Sequence, residues 1–252
     1  MPRLRVGLIP ALLEPESLDN HVVVVVDVLR ATTTICMALA HGARQIIPTP
    51  SIDDAHRLRD ERGSQTILGG ERGGLIVEGF DQGNSPREYT RATVLDQTVV
   101  LCTTNGTVAM ERCRHAKRVL IGSFVNLSAT AAAIKPNENV VVVCAGTDRH
   151  VTSEDILFAG ALIDQLQQPE DKLDDSARLA VDHWRSVQEQ INHSSKSLFD
   201  FLAKSLGGRN LLDKGFEADV QFCAQIDLIT QVPELDLENW NIQFAKKTLT
   251  QP

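Results

Sequence analysis

The sequence predicts an α/β fold built on a largely parallel or mixed sheet. Leu4–Ile9 and Val22–Val26 are continuous β-branched runs, the mark of strands covered on both faces. Helical patterns follow the strand-like runs in regular alternation along the chain. A chain of 252 residues, 42% of them hydrophobic, carries ample material for a core in one or two domains.

The elements follow in order. After the two N-terminal strands, Ala31–His41 reads as a helix closed by Gly42 in the C′ position. Gln45–Pro48 is a short strand. Ser51 caps a helix running to Glu61, with Asp53 and Asp54 complementing its first turn. Thr66–Leu68 is a strand. Gly69 to Asn84 is glycine-rich and reads as a structured loop with at most a short hairpin, and Asn84 or Ser85 before Pro86 as an N-cap. Thr98–Cys102, Arg118–Ile121 and Asn139–Cys144 are strands, followed by helices near Gly106–Cys113, Val125–Ile134 and Ser153–Leu166. The acidic stretch PEDKLDD (169–175) is a surface connection. Leu173–Ile191 and Leu198–Leu206 are amphipathic helices, and Asp227–Val232 is a late strand ended by Pro233. The expectation is one domain across 1–252, with a helical C-terminal subdomain from about 170 as a variant of it.

Composition excludes several functional classes. With 25 Lys+Arg against 33 Asp+Glu and only 4% aromatic residues, the chain has neither the cationic footprint nor the stacking platform of a nucleic-acid binder. The N-terminal apolar stretch is interrupted by Pro10, Glu14 and Pro15, so neither a signal peptide nor a membrane span is expected. Five cysteines with no C-x-x-C spacing argue against disulfides and zinc, and a cytoplasmic protein is expected. The seven histidines show no paired ligand spacing, and no G-x-S-x-G elbow occurs.

Chemistry is expected where strands run out into polar residues, because ligands in open α/β sheets bind outside the carboxyl ends of the strands. Asp27 stands directly after the valines, followed by Arg30 and Thr32–Thr34 at a helix start: a carboxylate for a hard cation, an arginine fork for an anion, and hydroxyls that equally serve as caps. GGERGG (69–74) with EGFDQGNSPRE (78–88) sets Glu71, Arg72, Asp81, Asn84, Ser85 and Arg87 among glycines. It is not the dinucleotide pattern G-x-G-x-x-G. Thr103, Thr104, Asn105, Gly106 and Thr107 form a hydroxyl-rich strand–helix junction, a cradle for an anion or simply a capped helix. Cys144 to Arg149 has four intervening residues where the tyrosine-phosphatase loop needs five. Ser153 looks like an N-cap, and Glu154 and Asp155 either complement the helix dipole or bind metal. SLGGRN (205–210), Gly215, Asp219 and Cys223 read as a structural turn between helices.

In this order DVLRATTT, GGERGG, EGFDQGNSPREY, TTNGT, CAGTDRHVTSEDILFAG and GGRNLLDKGFEADVQFC resemble the 2-phosphosulfolactate phosphatase family, over about Val23 to Pro233. The resemblance implies a three-layer α/β/α fold with a mixed sheet and a Mg²⁺-dependent acid phosphatase of coenzyme M biosynthesis. It marks Asp27, Arg30, Glu71 and Arg72 as catalytic. Thr32, Thr33, Asn84, Ser85, Arg87 and Thr103–Thr107 are marked for substrate, and metal ligands are drawn from Asp27, Glu71, Asp81, Glu154 and Asp155. Arg30, Arg72 and Arg87 would then match the phosphate, sulfonate and carboxylate of a small anionic substrate. Attack by water and an aspartyl-phosphate on Asp27 both stay open; Leu29 stands where haloacid-dehalogenase phosphatases carry a second Asp. A non-catalytic anion-binding protein of the same fold, a phosphatase of another small phosphorylated acid and a sugar-phosphate transferase are the competing readings. A homodimer is the base-rate expectation.

Overall fold

The computed structural model describes residues 3–244. The strands among them are β1 (Leu4–Gly7), β2 (Val22–Val26), β3 (Gln45–Thr49), β4 (Thr66–Arg72), β5 (Leu75–Ile76), β6 (Thr98–Cys102), β7 (Arg118–Gly122), β8 (Val140–Cys144), β9 (Pro233–Asp236) and β10 (Asn241–Phe244). The helices are α1 (Ala31–Ala40), α2 (Ile52–Arg62), α3 (Arg91–Val94), α4 (Gly106–Arg112), α5 (Leu127–Ala133), α6 (Ser153–Gln165), α7 (Asp175–Asn192), α8 (Leu198–Leu202), α9 (Leu206–Leu212) and α10 (Glu217–Cys223).

The strands form one mixed sheet in the order β1-β8-β2-β7-β9-β10-β3-β6-β4-β5. β1, β8, β2 and β7 are parallel, with Val22 opposite both Val140 and Arg118. β3, β6 and β4 form a second parallel block. The hairpin β9–β10 joins the blocks through antiparallel pairings with β7 and β3, so the two blocks run in opposite senses.

Helices cover both faces, which makes a three-layer α/β/α fold. The valines of β2 alternate with period two. Val22, Val24 and Val26 pack with Phe158 and Leu162 of α6 and Trp184 of α7. Val23 and Val25 pack instead with Ile35 and Leu39 of α1 and Met110 of α4, and Ile46 and Leu101 from the second block join this same core. A smaller core beneath α2 holds Ile47, Leu68 and Val100 with Ala55. All five β2 valines are fully buried, which explains why no polar residue interrupts the run; each contributes about 1.5–3 kcal/mol as an upper estimate. Leu202, Leu211 and Val220 of the C-terminal helices share the core of β2 and β8. The five cysteines are free and buried, and no helix among the described residues is long and apolar enough to cross a membrane.

Several elements differ from the sequence expectation. The strand expected to stop at Leu68 continues to Arg72 and turns back through β5, so GGER is strand and not loop. Its glycines answer to close approach: a Cβ on Gly69 would strike the Tyr89 hydroxyl, and one on Gly70, at φ +146°, would strike the Cys102 carbonyl. No helix begins at Pro86; residues 86–88 make a turn closed by Glu88 N–H donating to Ser85 O, and the capped helix start is Thr90 before α3. The N-cap of α6 is Thr152 rather than Ser153. The expected helix Leu198–Leu206 is two, because Ser205 caps α9 by accepting from Gly208 N–H. The late strand begins at Pro233 instead of ending there; proline fits a first strand residue, whose N–H the ladder does not need.

Candidate active site

β2, β4, β6 and β8 each end at one cavity of about 120 Å³. Asp27, Arg30, Glu71, Asn84, Thr104 and Asn105 line it, so the structure brings together six of the residues singled out from the sequence.

Asp27 leaves β2 with its backbone tied to the start of α1. Its N–H donates to Thr32 Oγ1 at 3.0 Å and Thr32 Oγ1 donates back to its carbonyl at 2.9 Å. Ala31 N–H donates to Asp27 Oδ1 at 3.2 Å, while Oδ2 has no partner among the described residues. Burial pushes the Asp27 carboxyl up to about 7; the charges of Glu71 and Glu154 push the same way, against the Ala31 hydrogen bond and Arg30. Gly106, at the head of α4, stands against this carboxylate: a Cβ there would lie 2.8 Å from Asp27 Oδ2 and 2.7 Å from Ala31 Cβ.

Glu71 closes another wall. Its Oε1 accepts Thr104 N–H at 2.8 Å and its Oε2 accepts Gly74 N–H at 2.7 Å, tying the β6–α4 junction to the β4–β5 turn. Arg30 is buried: Nη1 donates to Asp219 Oδ2 at 2.6 Å and Nη2 to Gly74 O at 2.8 Å. Asn84 Oδ1 and Thr104 Oγ1 are buried without a hydrogen-bond partner. Asn105 Oδ1 accepts Asp148 N–H at 3.2 Å.

The other expected residues lie around this cavity rather than on its wall. Arg72 turns away, donating to the Glu71 and Pro50 carbonyls and to Cys102 Sγ. Asp81 accepts Leu68 N–H at 2.8 Å and lies 3.7 Å from Arg59. Thr33 bonds Val28 O and Ser123, and Thr107 Oγ1 bonds Thr103 O, so these hydroxyls knit helix starts. Ser85 donates to Asp219 Oδ1 at 2.7 Å, and the half-exposed Arg87 lies 3.9 Å from that oxygen. Asp155 accepts Val28 N–H and Gly146 N–H, each at 2.9 Å, so both oxygens brace the floor. Burial and the Glu154 and Asp27 charges push its carboxyl well above the usual range, and burial pushes Glu154 up as well. Glu154 Oε2 is buried and unpartnered.

Thr147, Asp148, Gly207, Asn210, Leu211 and Lys214 are also on the cavity wall; sequence reasoning gave Thr147 and Asp148 no role, read Gly207 and Asn210 as part of a structural turn, and did not single out Leu211 or Lys214. Residues 207, 210, 211 and 214 fall at i, i+3, i+4 and i+7, the spacing of one helix face, and that is the signal by which they were findable. Lys214 supplies the cavity cation that Arg72 does not.

Among the described residues no three Asp, Glu, His or Cys side chains converge to hold a metal ion by themselves. Among residues lining the cavity, Asp27 Oδ2, Asn84 Oδ1 and Thr104 Oγ1 are left without a hydrogen-bond partner, and the unpartnered Glu154 Oε2 belongs to a residue outside the lining. One carboxylate and two neutral oxygens, with the remaining positions left to water, is an all-oxygen donor set of the kind that suits hard cations, Mg²⁺ among them.

Asp27, Glu71, Arg30 and Lys214 lining one small cavity, at the carboxyl ends of strands in a layered sheet, are arranged as in the active site of an α/β enzyme. The family model of 2-phosphosulpholactate phosphatase matches residues 8–238. The chain belongs to that family, which is one of phosphoric monoester hydrolases. A protein of Carboxydothermus hydrogenoformans named probable 2-phosphosulfolactate phosphatase is 40% identical over 246 residues, 96% of this chain and 98% of the relative. Proteins of the same name from Pseudothermotoga lettingae and Thermotoga petrophila are each 40% identical, over 227 and 212 residues. These alignments cover 90% and 84% of this chain, and 95% and 88% of the relatives.

Proposed function

We propose that the protein hydrolyses the phosphate monoester of 2-phospho-3-sulfolactate to 3-sulfolactate and phosphate, with Mg²⁺ held by Asp27, Asn84 and Thr104. The observation that carries this reading is that Asp27, Glu71, Asn84 and Thr104 line one small cavity together with the cations Arg30 and Lys214. Family membership supports the reaction, and the names of the relatives support the substrate.

Bound there, Mg²⁺ would supply Lewis acidity that offsets charge on the phosphoryl oxygens. It would also answer the mutual repulsion of Asp27, Glu154 and Asp155, three carboxylates whose ionisation burial resists. Arg30 and Lys214 neutralise the anionic groups of the substrate. Each Glu71 oxygen already takes one backbone N–H and keeps a second lone pair. Glu71 thereby orients the attacking water and takes its proton as the water oxygen bonds phosphorus and the ester P–O bond breaks. The proton then reaches the departing alkoxide oxygen.

Phosphate release from 2-phospho-3-sulfolactate, with Mg²⁺ or with excess EDTA, and from 2-phospholactate alongside, tests this. Expected is Mg²⁺-dependent release that is much faster with the sulfonate present. Equal rates on both substrates discard the substrate assignment. No release under any condition returns the site to the anion-binding class.

A further inference from the structure

We propose that Asp219 is a positioning residue for the reaction: through Arg30, it sets the cation that meets the substrate. The inference rests on the phosphatase reading and extends it to α10, whose residues do not line the cavity.

Arg30 and Asp219 are separated by 189 residues, yet meet at 2.6 Å with both side chains 2% exposed. Asp219 cannot swing, because Oδ1 accepts the Ser85 hydroxyl at 2.7 Å while Oδ2 accepts Arg30. Its helix is anchored by Val220 and Cys223 in the main core. The guanidinium is held on two further sides, by the Gly74 carbonyl and by the Phe216 ring, whose centroid is 4.4 Å from Arg30 Cζ. A guanidinium carries five N–H donors in a rigid plane. Two nitrogens are engaged as described, and the remaining N–H groups have no protein partner among the described residues, on a side chain that lines the cavity. They are the donors left over for the substrate.

The alternative partners of Arg30 define what Asp219 prevents. Asp27 and Glu71 share the cavity with it. Without the Asp219 charge, Arg30 pairs with those carboxylates and is lost to the substrate.

The test compares Asp219→Asn, Arg30→Gln and the double variant in steady-state hydrolysis of 2-phospho-3-sulfolactate, with inorganic phosphate as competitive inhibitor. Asp219→Asn is expected to raise KM and the phosphate inhibition constant together by about tenfold, with kcat changed by less than about threefold. In the Arg30→Gln background the same change is expected to add less than about twofold, since a residue acting only through Arg30 has nothing left to act on. An unchanged KM, or losses that multiply in the double variant, overturns the proposal. Should Asp219→Asn fail to fold, Ser85→Ala decides: it frees one Asp219 oxygen and must raise KM and the phosphate inhibition constant together, a rise that disappears in the Arg30→Gln background; an unchanged KM, or a rise that persists without Arg30, overturns the proposal. Wild-type turnover in the same assay tests the phosphatase reading separately.

Discussion

Asp27 is buried with one oxygen held and one free, and its chemistry is readable at that level. Asp27→Asn keeps the volume and the Ala31 hydrogen bond but removes the only charged ligand of the proposed cation set. Phosphate release is expected to fall by at least about 100-fold, on the scale of losing a principal electrostatic element. Acid quenching during turnover is expected to recover no covalent phosphoryl-enzyme, which separates attack by water from the aspartyl route. A carboxyl raised to about 7 from an unfolded value of 3.8 binds more protons in the folded state. Metal-free protein therefore loses stability as pH rises from about 4 to about 7, while added Mg²⁺ restores it most above pH 7. Thermal unfolding at pH 5 and pH 8, with and without Mg²⁺, checks this; a metal-free Tm that rises between those values would contradict it. Asp27, Arg30 and Glu71 were legible because each is a charge that breaks an apolar or glycine-rich run. Lys214 and Asp219 were not, since a lysine and an aspartate in a polar helical region look like solvated surface until the fold brings Gly74 and Arg30 against them.

At the level of elements, the buried strands were legible from composition and the close-approach strand was not. Val22–Val26 announces itself by branching alone. GGER does not, because in β4 the decisive quantity is the space left by Tyr89 and by the Cys102 carbonyl, which belongs to the partner elements. Gly70→Ala is expected to force both a strained φ and a backbone clash, costing about 1–3 kcal/mol. At roughly 2–4 °C per kcal/mol, Tm should drop by several degrees in a chain of this size. Because Gly70 is adjacent to Glu71, phosphate release should fall with it. The strands β9 and β10 were missed or misplaced for a different reason: PELD and NIQF are short and partly polar, and pairing in mid-sheet, rather than propensity, makes them strands.

For the whole molecule, the α/β class and the layering were legible from alternation, whereas the opposed senses of the two parallel blocks were not, being a property of who pairs with whom. The cavity depends on both blocks, since Asp27 comes from one and Glu71 and Thr104 from the other. Removing residues 233–252 takes away the strands that join β7 to β3. The shortened chain is expected to be recovered as aggregate or as protein lacking cooperative thermal unfolding, and a soluble, cooperatively melting product would show that the blocks hold together without the hairpin.

That hairpin also imposes an order on assembly during synthesis. β9 and β10 are translated after all eight other strands, yet they occupy the middle of the finished sheet. Until they emerge from the ribosome, β7 and β3 present open backbone edges, one on each half, in a chain that already carries most of its apolar residues. The nascent protein therefore passes through a long interval in which its halves can pair with other chains as readily as with each other. Its yield in the cell depends on how that interval is guarded.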